Sequence, residues 1–142
     1  MIDQEPSALR KVYFEAWQKS LANQPLSDME NIIVDIISRH PEYHALFSQK
    51  KNFQGALNEN YALDHNPFFH LALHVTIAEQ VGADKPTGVR ELYFKLLNKC
   101  GCPTETEHLM MECLAKILVT SFQSNEAADE AHYLTALQAL LT

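Results

Sequence analysis

Seven histidines stand in a chain with three arginines and one tryptophan, and their spacing is the first sign of chemistry. Three pairs lie four residues apart: His40/His44, His70/His74 and His108/Glu112. On an α-helix a spacing of four puts two side chains on one face, about one turn apart. Two such pairs on facing helices offer nitrogen and oxygen ligands to one metal ion, as in the cores of metal-binding helix bundles. Imidazole with carboxylate suits a divalent transition metal, whether Zn, Fe, Mn or Ni, and the ligand types do not choose among them.

The three pairs sit in different surroundings. His70 and His74 belong to the run Phe68-Phe69-His70-Leu71-Ala72-Leu73-His74-Val75-Thr76-Ile77-Ala78, which is apolar nearly all round and predicts a central, buried helix. Both fall on the stripe of Leu73, Ile77 and Val81. Imidazoles buried there need polar partners, since an unpaired buried polar group costs about 2 kcal/mol or more. A metal satisfies them; so do backbone carbonyls, tyrosine hydroxyls or water. His108 and Glu112 share a side with Glu105, Lys116 and Gln123, which reads equally as a solvated stripe with a Glu112–Lys116 pair. Met111, Ala115, Val119 and Phe122 border that face and draw it toward a core. His40 and His44 straddle Pro41, so His40 reads as a helix-end residue that fixes a corner with Tyr43. His44 reads as a fifth metal ligand or a hydrogen-bond donor behind the ligands. The expected metal set is therefore His70, His74, His108 and Glu112, with His44 beside them. His65 precedes a helix start, and His132 reads as surface.

The elements that must hold these residues are helical. Leu9, Val12, Tyr13, Ala16, Trp17 and Leu21 predict a first helix over about 7–22. Ser27 and Glu30 form a capping box ahead of a helix carrying Ile32, Ile33, Ile36 and Ile37. Pro41 breaks the pattern, and a short helix over 42–47 follows at an angle. Residues 48–65 sustain no period and read as a long loop, which in a folded domain usually has a task or a partner. Asn66-Pro67 starts the histidine helix, cap then proline, and Gly82 ends it. Asp84-Lys85-Pro86 opens a helix to about Lys99, with Gly101 after it. Thr104 and Glu107 predict a second capping box for a helix to about Phe122, and Asn125 is expected to cap the last helix. No segment alternates strictly, so no sheet is expected. The fold class is all-α: a compact single-domain bundle of about six helices over residues 1–142.

Composition narrows the functions. The chain has 142 residues and a net charge of −7, spread evenly over both halves. No basic stripe exists to release phosphate counterions, so no nucleic-acid partner is expected. The longest central stretch without Asp, Glu, Lys or Arg runs from His65 to Ala78, too short for a membrane span of about 20 residues. The opening residues lack the apolar run of a signal peptide. Cys100, Cys102 and Cys113 are an odd set without the CxxC spacing of zinc ribbons, and reduced thiols in a cytoplasm are the plain reading. Glycine, at 4 residues, falls well under its usual share of about 7%, against a fold of many tight turns. There is no phosphate-cradling loop, nucleophile elbow or dinucleotide fingerprint, so no nucleotide cofactor is expected and no enzymatic reaction is assigned.

Four motifs carry a resemblance: Phe14-Glu15-Ala16-Trp17, His40-Pro41-Glu42-Tyr43-His44, Asn66 through His74, and Glu107-His108-Leu109-Met110-Met111-Glu112-Cys113-Leu114. Together they resemble the proteobacterial domain-of-unknown-function family 1841, over nearly the whole chain. That family has no established activity, so the resemblance implies no substrate. It does imply that positions 44, 70, 74, 108 and 112 lie within family motifs. A looser similarity is to hemerythrin-like and DinB-like metal bundles, which also use His-x3-His and His-x3-Glu helices. This chain departs from both in helix order and lacks a final His-x4-Asp, so that similarity implies a metal in a bundle and no particular reaction.

Three readings follow. In the first, a helical protein holds a transition metal in a buried His/Glu cluster, and an open coordination position activates a water or a redox metal reacts. In the second, the histidines form a hydrogen-bonded core of a non-enzymatic interaction module, whose partner or second copy meets Phe53 and Tyr61 of the 48–65 segment. In the third, buried histidines act as a pH switch.

Overall fold

A computed structural model describes residues 7–57, 59, 61 and 65–142. Among the described residues the chain is all-α, without strands. Its helices are α1 (Ser7–Leu21), α2 (Asp28–Ser38), α3 (His44–Ser48), α4 (Lys50–Ala56), α5 (Pro67–Ala83), α6 (Val89–Cys100), α7 (Pro103–Ser124) and α8 (Glu130–Ala139). A 3-10 turn, Pro41–Tyr43, joins α2 to α3. The eight α-helices among the described residues exceed the expected six, chiefly because α4 lies in the segment read as a loop. There Phe53 and Ala56, three residues apart, are buried, while Lys50, Lys51, Asn52 and Gln54 face solvent. Two apolar anchors in a polar run are too few to register as a period. Residues 58, 60 and 62–64 of that segment lie outside the described residues, as do 1–6, which were read as lacking a leader.

The chain divides into two units, Met1–Val75 and Thr76–Thr142, with the boundary inside α5. In the first unit, Tyr13, Ala16 and Trp17 of α1 and Ile33, Ile36 and Ile37 of α2 share a core with Phe47, Phe53, Phe68, Leu71 and Val75. The Phe14 and Phe53 rings stack at 4.3 Å, and Phe47 meets Phe68 edge-on at 5.9 Å. Arg10 ties α1 to the chain after α4: its Nη1 donates to the carbonyls of Ala56, Leu57 and Glu59 at 3.0, 3.3 and 3.0 Å. The same guanidinium lies 4.5 Å from the Phe68 ring centroid, so a buried cation is held by three carbonyls and an aromatic face. Trp17 Nε1 donates to Ser48 Oγ at 2.9 Å. The Ser27–Glu30 capping box is present in both directions.

The second unit packs α6, α7 and α8 with the C-terminal end of α5. Leu92 and Leu96 of α6, Met110, Met111, Leu114 and Ile117 of α7, and Tyr133 and Leu137 of α8 are buried. The Tyr133 hydroxyl donates to Gln80 Oε1 at 2.7 Å. Several helix ends differ from expectation. Helix α5 continues through Gly82 to Ala83 and stops at Asp84, which takes a left-handed φ of 53°. Helix α6 starts at Val89, while Asp84 Oδ1 accepts from the amides of Gly88 and Arg90 at 3.1 Å each. Gly101, at φ 77°, ends α6 as expected. Helix α7 begins at Pro103 with Cys102 as its cap, not with a Thr104 box; proline in the first turn needs no amide partner and presets φ. Asn125, at φ 57°, terminates α7 instead of capping α8, and Asp129 caps α8 by accepting from the His132 amide at 3.0 Å. Among the described residues no helix is long and apolar enough to cross a membrane.

Candidate metal centre

The first unit gathers three histidines. His70 and His74 sit one turn apart on α5, whose start is fixed by Asn66: its Oδ1 accepts from the amides of Phe68 and Phe69 at 3.0 and 3.2 Å. This is the expected cap with proline in the next position. His40 follows the end of α2. It continues the stripe Ile33, Ile36, Ile37 at the next helical interval, so it faces the core with them. His40 is 3% exposed and His74 0%, while His70 is partly buried.

The three rings meet through their Nε2 atoms. His40 Nε2 lies 3.2 Å from His70 Nε2, which lies 3.2 Å from His74 Nε2. One ring nitrogen from each of the three lies within 4.8 Å of the others. His40 Nδ1 lies 2.7 Å from the Ile36 carbonyl oxygen. A carbonyl only accepts, so Nδ1 carries a proton, and a ring with that single proton presents an Nε2 lone pair to its neighbours. This is how a backbone carbonyl orients and fixes the tautomer of a metal-binding histidine.

That lock makes the protons hard to place. If His70 Nε2 bears hydrogen, one proton is shared between two acceptors, His40 and His74. If it bears none, His74 can donate to it, but His40 and His70 then oppose two lone pairs. No neutral arrangement makes both 3.2 Å contacts full hydrogen bonds. A cation among the three nitrogens satisfies every lone pair at once. With Zn–N bonds of about 2.0–2.1 Å in a tetrahedron, ligand nitrogens stand about 3.3 Å apart, close to both separations here.

Tyr43 borders the group. Its ring stacks on His40 at 5.3 Å with the planes 5° apart, and meets His70 edge-on at 6.2 Å. Burial pushes its phenol up to about 12, and the neighbouring Glu42 charge adds to the shift. His44 does not join the group. Its Nε2 lies 2.9 Å from the Ile37 carbonyl, and its ring lies 5.0 Å from Trp17; it braces the α2–α3 corner. In the second unit, His108 is partly buried on α7, whereas Glu112 is exposed and belongs to no convergent set of ligand side chains among the described residues. The buried carboxylate of α7 is Glu107 instead. The structure brings His70 and His74 together and adds His40, which also is the helix-end residue at the Pro41 corner that its position predicts, stacked on Tyr43; the signal for its joining the cluster was its place on the isoleucine stripe. His65 and His132 are exposed.

Among the described residues, fold and cluster together define an all-helical protein whose first unit gathers histidines that could hold a metal ion. Residues 5–139 match the family described as Domain of unknown function (DUF1841), and the chain belongs to that family. Neither curated proteins nor solved structures yield a match.

Proposed function

We propose that this protein binds one divalent transition-metal ion through Nε2 of His40, His70 and His74. The observation that carries this reading is the locked His40 tautomer, which leaves the two Nε2–Nε2 contacts without a consistent neutral proton pattern. Glu112 is left out because it is exposed, and His44 because its Nε2 is engaged by a carbonyl. An imidazole set favours Zn, Fe or Ni over Mn, which prefers oxygen ligands. Three free thiols, Cys100, Cys102 and Cys113, support a reducing, cytoplasmic setting, and the acidic balance opposes a nucleic-acid partner.

Elemental analysis of untagged protein tests the proposal. About one equivalent of a transition metal per chain is expected, lost in His74→Ala. Less than about a tenth of an equivalent, with stability indifferent to chelator, overturns it and leaves the histidines as a hydrogen-bonded core.

A further inference from the structure

We infer that Cys100 and Cys102, at the corner between α6 and α7, form a reversible dithiol/disulfide pair that is oxidised by a small disulfide of the glutathione class. The pair lies in the second unit, and nothing in it depends on the metal reading. Both thiols are free and partly exposed. Gly101 between them and Pro103 after them are exposed, so a dissolved disulfide can approach this corner.

The backbone holds the two cysteines close. Cys100 is the last residue of α6, Cys102 is the cap of α7, and Gly101 between them stands at φ 77°, ψ 1°. That is the left-handed region, which glycine adopts at no steric cost. A helical bend of either hand brings Cα atoms two residues apart to about 5.5 Å. Disulfide-linked Cα atoms stand about 4.4–6.8 Å apart, so a bridge fits here without moving a helix. The Gly101 amide donates to the Leu97 carbonyl at 2.7 Å and fixes the Cys100 side. The Cys102 carbonyl accepts from the amide and the hydroxyl of Thr106, at 3.0 and 2.8 Å. Cys113 is placed differently. It lies along α7 from Cys102, at a helical rise of roughly 16 Å, and is therefore about 10 Å or more from Cys100 as well. A bridge fails beyond about 7 Å, so Cys113 has no partner in this pair.

Oxidation proceeds by two exchanges. One cysteine thiolate attacks the small disulfide, whose S–S bond breaks; a glutathione thiolate leaves, and a mixed disulfide forms. The other cysteine thiolate attacks the protein sulfur of that adduct, expels the second glutathione and closes the Cys100–Cys102 bond. Two protein thiols are oxidised, one glutathione disulfide is reduced to two thiols, and the protein's two protons pass to them. The closed ring holds a single residue between the cysteines, so its geometry is tight and the bond is readily reduced again.

The test holds the full chain in buffers of rising ratio of glutathione disulfide to glutathione, quenches with an alkylating agent and reads intact mass and cleavage peptides. The inference expects a product lighter by its two thiol hydrogens, with Cys100 and Cys102 joined in one peptide and Cys113 alkylated. Helical circular dichroism should be unchanged, and excess glutathione should restore the dithiol. Cys100→Ser and Cys102→Ser should each stall as the mixed disulfide, with about tenfold more glutathione adduct than the parent, because the intramolecular second attack is lost. Cys113→Ser should close as the parent does. Parent protein that keeps both thiols alkylatable at high glutathione disulfide, or carries a stable glutathione on each, overturns the inference. Closure that costs helical signal overturns it too.

Discussion

A single hydrogen bond, from His40 Nδ1 to the Ile36 carbonyl, decides what the three clustered imidazoles can do. It serves the fold as well as the site, because it ties the end of α2 to the corner at Pro41. His40→Leu should therefore cost about 1–3 kcal/mol in metal-free protein, the usual penalty for stripping a buried carbonyl of its partner. Urea unfolding with chelator present measures this, and a His40→Leu variant as stable as the parent would contradict it. His74→Leu is the second variant to compare by metal titration. Both variants should lose the metal. His40 was hidden at the sequence level because a histidine before proline is more often a cap than a ligand. His70 and His74 were legible because their helix left no polar face to receive them. A second residue, Tyr133, governs alkaline behaviour. Burial, with the nearby Cys113 adding to it, holds its phenol above the ordinary range. Its folded form thus keeps a proton that the unfolded chain releases near pH 10. The resulting stability is complete below about pH 10 and is lost as pH climbs toward the raised value. Tyr133→Phe should be less stable near neutral pH by about 1 kcal/mol, having lost the bond to Gln80, and the gap should shrink or reverse at about pH 11 by urea midpoint.

At the scale of elements, the proposed ligands are only as well placed as the helix that bears two of them. Asn66 is buried and caps α5 through two amide bonds. Asn66→Ala should cost about 0.5–2 kcal/mol and weaken metal binding although Asn66 touches no ligand. Asn66→Asp keeps the acceptor and should restore both, measured by thermal unfolding and by metal titration. Loss of stability without loss of metal affinity would show that the first turn does not position His70. The Ser27 box and the Asn66-Pro67 start were legible because each is written in neighbouring residues. The starts of α7 and α8 were misjudged because several residues competed for the cap: Cys102 with Thr104, and Asp129 with Asn125. Local preference does not rank such rivals; packing does. Helix α4 escaped because Phe53 and Ala56 bury themselves against residues far away in sequence, and a window of seven residues holds no trace of those neighbours.

At the scale of the molecule, the boundary between the two units falls inside one continuous helix, between Val75 and Thr76 of α5. His70 and His74 lie within six residues of that boundary, on the part of α5 that belongs to the first unit. A helix is a cooperative object, and ordering one end favours the next turn. A metal that clamps His70 and His74 to His40 should therefore stabilise more than the cluster itself. The single tryptophan, Trp17, is buried in the first unit and bonded to Ser48, so its fluorescence follows that unit. Circular dichroism follows helices of both. With free zinc at about 100 times its dissociation constant, the Trp17 transition should rise by about 2.7 kcal/mol in unfolding free energy. If the chain behaves as one domain, the helical signal should move with it in a single step, and chelator should return both to their starting point. A zinc effect on Trp17 alone, with part of the helical signal melting at an unchanged midpoint, would mean that the two units unfold independently and that the ion's influence ends within α5.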